Sequence, residues 1–195
     1  ILESTTWLAN KDRAASLGYD AAQLVAVNRD AIRFLASIRD QSDQPDTLIS
    51  ANIGPRHDAY APADTMTPSD AETYHQVQIQ SLIGTPLDML SAYTLTYCDE
   101  AIGIARAAAT AGIPCVIAFT VETDGALPNG QSLDDAIAQT DAVTGQSVAY
   151  YMVNCAHPDH FRDTLRAGGD WLGRLVSTHP VGEARGASRY QNPVV

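Results

Sequence analysis

The feature that most constrains the fold of this chain is a repeated alternation of short apolar runs with segments of helical periodicity. Five runs have strand character, and a helical pattern follows each of them. Strands separated by helices pair in parallel through right-handed crossovers. An open doubly wound sheet and a (β/α)8 barrel both satisfy this alternation. The predicted strands cover residues 1–6, 47–53, 87–95, 115–121 and 150–156, and the predicted helices cover 19–40, 69–83, 99–111, 132–143 and 160–167.

Local signals mark the ends of the predicted helices. Asp20 is an N-cap candidate, and Gln23 stands three residues later, as in a capping box. Gly112 stands where the helix over 99–111 has to end, the usual place for a left-handed glycine. The run over 115–121 is almost continuously apolar, which predicts a strand buried on both faces.

Composition excludes several classes of partner. The 195 residues carry a net charge of −11 and no basic stripe, so we expect no nucleic-acid or anionic-membrane binding. No apolar run approaches the roughly 20 residues that cross a bilayer, and no signal peptide is evident. The three cysteines lie far apart in sequence and predict no disulfide framework, so we expect a reducing cytoplasm.

The segment 150–158 ends in the most informative polar cluster of the chain. An aromatic and β-branched run leads into Asn154, Cys155 and His157, and Pro158 stands where a helix takes its first turn. In folds with parallel strands, ligands bind at the carboxyl ends of the strands. A thiol, an amide and an imidazole are therefore predicted at a binding edge. The alternatives are that Cys155 merely packs and that His157 caps the following helix.

Four motifs, in order, resemble the homocysteine S-methyltransferase family. They are Ser-Ala-Asn-Ile-Gly-Pro-Arg at 50–56, Glu-Ala-Ile-Gly at 100–103, Phe-Thr-Val-Glu-Thr-Asp-Gly at 119–125 and Asn-Cys-Ala-His-Pro at 154–158. The resemblance runs from residue 1 to about 175 and favours the barrel. It implies an α/β partial (β/α)8 TIM-type barrel in which five parallel strands match the second to sixth of the family. We therefore expect a barrel domain at 1–175 and an irregular tail at 176–195.

The resemblance also implies a chemistry. Family enzymes transfer a methyl group to the thiol of homocysteine, giving methionine, and zinc activates that thiol as a thiolate. Three cysteines hold the metal, and Cys155 matches the first. Asn52, Thr120, Glu122 and Asn154 are expected to line the substrate pocket. The methyl donor is an S-methylated amino acid, a betaine-like compound or a methylated folate, and the sequence does not choose among them.

Two departures from the family pattern concern the metal and the substrate. The Gly-Gly-Cys-Cys-Gly motif, which carries the second and third zinc ligands, is absent, as is the opening Asp-Gly-Gly segment. Cys98 and Cys115 do not fall at ligand positions. Tyr93 stands where many family members have a glutamate that contacts homocysteine. Two of three ligand cysteines are thus missing, and we expect the bare chain to retain zinc poorly and to be inactive.

A second hypothesis is a catalytically inactive partial barrel that binds or assembles. Five strands leave two sheet edges open to pairing, and hence to homo-oligomers, and they leave inward side chains such as Tyr151 and Val153 uncovered. A barrel lyase or aldolase is disfavoured because the one lysine, Lys11, does not lie at a strand end. Because the chain opens within a strand, we also expect it to be a fragment.

Overall fold

The computed structural model is a single parallel sheet covered on one face by helices, and it describes residues 1–44, 46–57 and 64–180. Six strands lie in chain order across the sheet, β1 to β6, and all are parallel. The strands are β1 Leu2–Glu3, β2 Ile49–Ile53, β3 Met89–Leu95, β4 Cys115–Phe119, β5 Val148–Ala156 and β6 Leu175–Pro180. A sheet that keeps strict chain order, with crossover helices on one face, is the wall of a TIM-type barrel.

Six α-helices and one 3₁₀ turn connect these strands in the described part of the chain. Their bounds are α1 Lys11–Ser16, α2 Ala21–Asp40, α3 Pro68–Leu82, α4 Cys98–Ala111, α5 Leu133–Thr144 and α6 Pro158–Ala167, with the 3₁₀ turn at Asp170–Arg174. The Asp20–Gln23 capping box is present, and Gly112 ends α4 with a φ of 68°. Both helix-end predictions are confirmed.

The predicted count of five strands is wrong, because Leu175–Pro180 forms a sixth. This strand pairs with β5, with Met152 opposite Ser177 and Val153 opposite Thr178. Its sequence, Leu-Val-Ser-Thr-His-Pro, has little apolar alternation, so only its pairing with β5 makes it a strand. Residues 181–195, the rest of the predicted tail, lie outside the described residues, and a domain division at 175 stays a prediction.

The two faces of the sheet differ in character. The outer face packs on the helices in the main hydrophobic core, where β4 residues such as Ile117 and Phe119 meet α4 and α5. A smaller apolar cluster on the inner face contains Met89, Val116, Ala118 and Met152, with Tyr93 and Tyr150 against it.

The prediction that Tyr151 and Val153 face the barrel interior is wrong. Both belong to the outer core, and the Tyr151 hydroxyl donates to Asp141 Oδ1 of α5 at 2.8 Å. The register shifts between Cys115 and Val116, which reach Val148 and Tyr150 on β5. Tyr150 and Met152 are the inward residues. An apolar run buried on both faces gives no alternation from which its inward residues can be read.

Candidate active site at the carboxyl rim

The thiol of Cys155 lies at the carboxyl end of β5, inside a compact polar cluster with Asn154 and Thr94. Asn154 Nδ2 is 3.2 Å from Cys155 Sγ, and Thr94 Oγ1 is 3.7 Å from the same sulfur. Asn154 and Thr94 are buried, whereas Cys155 is partly exposed. The cluster thus places the Cys155 thiol at the rim, with the buried side chains of Asn154 and Thr94 beneath it.

Asn154 joins the ends of β3 and β5 through both ends of its amide. Its Oδ1 accepts from the Thr94 backbone N–H at 2.9 Å, and its Nδ2 donates to Thr94 Oγ1 at 2.8 Å. Thr94 and Cys155 have φ values of 63° and 55°, in the left-handed region that residues with a Cβ rarely adopt. Two strained residues therefore face each other across one amide, a pattern that occurs at functional sites.

The other two cysteines are placed as predicted, away from this cluster. Cys115 begins β4 in the outer core, and burial raises its thiol pKa far above the ordinary value. Cys98 begins α4, where burial first and then the Asp99 charge raise its thiol pKa to about 11. Both of these thiols are buried, whereas Cys155 is partly exposed, so of the three cysteines Cys155 is the one that a ligand can reach.

The predicted pocket residues spread along the rim. Thr120 is buried directly after Phe119, which pairs with Val153, so Thr120 neighbours Asn154. Asn52 lies on β2, and its Oδ1 is buried with no hydrogen-bond partner among the residues that the structure describes. Glu122 is exposed in a turn, where its backbone N–H donates to the Ala126 carbonyl at 2.8 Å. The substrate roles of Asn52, Thr120, Glu122 and Asn154 stay predictions.

His157 caps α6. Its Nδ1 accepts from the Asp159 backbone N–H at 3.2 Å, and Pro158 takes the first turn of the helix. His157 therefore caps the helix, which was one of the two roles considered for it from the sequence, and its imidazole points to the start of α6.

Trp7 is a rim residue for which the sequence predicted no role. Its indole Nε1 donates to the Tyr93 carbonyl at 3.3 Å, and its own carbonyl accepts from the Gly54 N–H at 3.0 Å. A Cβ on Gly54 would lie 2.5 Å from that carbonyl oxygen and 2.8 Å from the indole. A glycine at position 54 is the sequence signal for this close approach of Trp7 to the backbone after β2.

A buried acidic residue fixes the turn after β2. Glu100 Oε1 lies 2.9 Å from His75 Nε2 and accepts from the Arg56 backbone N–H at 2.8 Å. His75 and Glu100 are both almost fully buried between α3 and α4. Three residues on, Gly103 allows these helices to touch, since a Cβ there would lie 2.4 Å from Ala71 Cβ. The Glu-Ala-Ile-Gly motif is therefore structural.

The family model of homocysteine S-methyltransferases matches residues 1–192. The chain belongs to this family. None of the curated proteins compared with the chain matches it in sequence.

Solved structures agree with the fold. The metallated homocysteine methyltransferase MmuM from Escherichia coli superposes with a TM-score of 0.73 at 18% identity, covering 92% of this chain and 74% of that one. Its oxidized form gives 0.75 at 17% identity with the same coverage. The apo form gives 0.63 at 17% identity, covering 85% and 72%. At these identities the likeness concerns the fold.

The donor set at the rim does not complete a zinc site. Nowhere in the described ranges do three His, Cys, Asp or Glu side chains converge as metal ligands. Cys155 is one suitable thiol, and its neighbours are an amide nitrogen and a hydroxyl. Catalytic zinc is held by three protein ligands, so these residues supply one of three.

None of the helices in the described part of the chain combines the length and apolar character that a bilayer crossing requires.

Proposed function

We propose that this chain is part of the catalytic barrel of a zinc-dependent homocysteine S-methyltransferase, which methylates the homocysteine thiol to give methionine in the cytoplasm. The observation that carries the proposal is Cys155, a partly exposed thiol held by Asn154 at the carboxyl rim in a left-handed conformation. The methyl-transfer reaction itself is inferred from membership of the family. The substrates are small molecules: homocysteine and a methyl donor.

The residues of the chain have distinct roles in this proposal. Asn154 orients the Cys155 sulfur, and Thr94 fixes Asn154 from the neighbouring strand. Asn52 Oδ1, which has no hydrogen-bond partner within the described part of the chain, is the acceptor proposed for a substrate N–H group. Thr120 and Glu122 complete the rim on the β4 side. Zinc, when bound, would lower the pKa of the substrate thiol.

Because the described residues provide one zinc ligand, the bare chain is proposed to bind metal weakly and to be inactive. Adding Co²⁺ to the purified chain tests the ligand role, since a cobalt–thiolate bond produces a charge-transfer absorption. We expect one thiolate band, retained in Cys98→Ala and lost in Cys155→Ala. A band that survives Cys155→Ala, or a folded wild-type chain that gives no band at any cobalt concentration, would count against the proposal.

A second candidate is an inactive assembly module. Among the described residues, β1 and β6 each pair with a single neighbour, which leaves two sheet edges. Unpaired strand edges recruit further strands. Size-exclusion chromatography with light scattering separates the candidates: a dimer that binds no cobalt supports assembly, and a monomer with the cobalt band supports the enzyme.

A further inference from the structure

The peptide group between Tyr93 and Thr94 lies at a break in the regular strand pairing of β3. Ala92 and Leu95 are three residues apart, whereas their partners on β4 are two residues apart. β3 therefore has one extra residue here, a β-bulge, and Thr94 within it has a φ of 63°. Bulges disturb the ladder locally and turn backbone groups and side chains in new directions, and they are frequent next to active sites.

Both polar groups of this peptide bond to side chains from other strands. The Tyr93 carbonyl accepts from Trp7 Nε1 at 3.3 Å, and the Thr94 N–H donates to Asn154 Oδ1 at 2.9 Å. The carbonyl and the N–H of a trans peptide group point in opposite directions within one rigid plane. Trp7, which follows β1, and Asn154, at the end of β5, therefore hold the same plane from its two sides.

The backbone of Gly54 fixes the position of Trp7. The Trp7 carbonyl accepts from the Gly54 N–H at 3.0 Å, and a Cβ on Gly54 would lie 2.8 Å from the indole Nε1. The indole thus rests directly on the chain after β2, in a contact that a larger residue at position 54 would prevent. Because Trp7 is half-buried, its N–H is a donor of fixed direction that water competes for only in part.

The Asn154 amide carries the position of this peptide to the Cys155 sulfur. Because the side-chain amide is planar, the bond from the Thr94 N–H to Oδ1 also fixes the direction of Nδ2, which lies 3.2 Å from Cys155 Sγ. A peptide group whose carbonyl accepts a hydrogen bond is polarised, and its N–H becomes the stronger donor. The Trp7 N–H therefore tightens the bond from Thr94 to Asn154, and through it the contact of Asn154 with the sulfur.

We propose that Trp7 is a positioning residue for the Cys155 thiol, acting through the Tyr93–Thr94 peptide and the Asn154 amide. The role of that thiol as a zinc ligand rests on the proposed function, whereas the linkage from Trp7 is a property of the folded chain. A tryptophan that only fills space at the rim would need the bulk of the indole and not its N–H.

Nuclear magnetic resonance of the full chain tests the linkage without metal. Trp7→Phe keeps an aromatic ring and removes the N–H. We expect hydrogen exchange of the Thr94 N–H to become about fivefold faster relative to that of Ile117 in the core of β4, as for the loss of one neutral hydrogen bond. The resonances of the Asn154 side-chain amide and of Cys155 Cβ should shift in the same variant.

Two further proteins control for packing and for general loss of stability. Trp171→Phe makes the same chemical change in the turn before β6, where Trp171 Nε1 donates to the Gly168 carbonyl at 3.1 Å, and it should leave all three signals unchanged. Replacing Trp7 by benzothienylalanine keeps the shape of the indole and puts sulfur in place of the N–H. This protein should reproduce the effect of Trp7→Phe, and it keeps the test decisive if the smaller phenyl ring disturbs the fold.

The inference is overturned if Thr94 exchange and the Cys155 resonance in Trp7→Phe match the wild type, or if the benzothienylalanine protein behaves like the wild type. Cobalt affinity gives a second readout: Trp7→Phe should bind about threefold more weakly than Trp171→Phe, and equal affinities would also contradict the role. Failure of the proposed function looks different. A wild-type chain without a cobalt band, whose signals still depend on Trp7, would remove the enzyme and keep this linkage. A Cys155-dependent band with signals indifferent to Trp7 would remove the linkage alone.

Discussion

Replacing Asn154 by alanine should destabilise the protein strongly, because one amide holds the ends of β3 and β5 together. The side chain makes two good hydrogen bonds to Thr94, at 2.9 and 2.8 Å, and a weaker contact to the Cys155 sulfur at 3.2 Å. Each neutral hydrogen bond contributes about 0.5–1.5 kcal/mol. Alanine also leaves the buried Thr94 N–H unpaired, at about 1–3 kcal/mol.

The expected loss is about 2–4 kcal/mol, because these contributions overlap. That is a large share of the roughly 5–15 kcal/mol that stabilises a domain. Urea unfolding followed by circular dichroism measures it, with Asp163→Asn as an exposed control expected within about 0.5 kcal/mol of wild type. An Asn154→Ala variant as stable as that control would refute the role of the amide.

A matched pair at Thr94 tests the backbone strain separately. Thr94→Gly and Thr94→Ala both remove the hydroxyl, but only glycine accepts a φ of 63° without a Cβ clash. The glycine variant should therefore be the more stable by about 1 kcal/mol, although glycine is normally the worse residue in a strand. Equal stabilities, or a more stable alanine variant, would show that the strain is absent.

Three further predictions use the same unfolding assay. Gly103→Ala should lose about 1–3 kcal/mol through overpacking of α3 against α4, whereas Gly173→Ala, with open space around its Cβ position, should change little. Tyr151→Phe should lose about 1–2 kcal/mol, because the buried Asp141 carboxylate loses a donor at 2.8 Å. Glu3→Gln should be more stable than the wild type at neutral pH. The pKa of Glu3 is raised in the folded state. The stabilisation that its protonated form provides is therefore complete below the ordinary glutamate pKa and is lost as the pH rises through the raised pKa. This advantage should vanish in acid, and a destabilised Gln variant at pH 7 would contradict the assigned shift.

Local sequence signals predicted most of the fold. Asp20 with Gln23 and Gly112 marked helix ends because capping chemistry is carried by the residues themselves. The sixth strand had no such signal. Its Ser, Thr, His and Pro residues become a strand only through the ladder with β5, a contact between segments that no local window contains.

The polar cluster at the rim could be predicted only in part, because some of its contacts join residues that are far apart in sequence. Asn154 and Cys155 are adjacent in sequence, so their closeness needed only the strand. The Thr94 contact joins residues 60 positions apart, and it depends on the order of β3, β4 and β5. Trp7 and Gly54 likewise meet only because β1 and β2 are neighbours.

The inner face shows why the placement of Glu3 matters. TIM-barrel interiors are normally filled by apolar side chains, and β4 and β5 follow that rule with Val116, Ala118 and Met152. On the inner face of β1 to β3, polar residues lie together instead: Glu3, Ser50, Ser91 and Tyr93. Glu3 is an exposed residue whose carboxyl pKa is nevertheless raised, chiefly by partial desolvation, so ionising it at neutral pH costs some stability. Residues that break a packing rule at the expense of stability are expected at functional sites. A Glu3→Gln variant that is more stable than the wild type in urea at pH 7 would measure this cost directly.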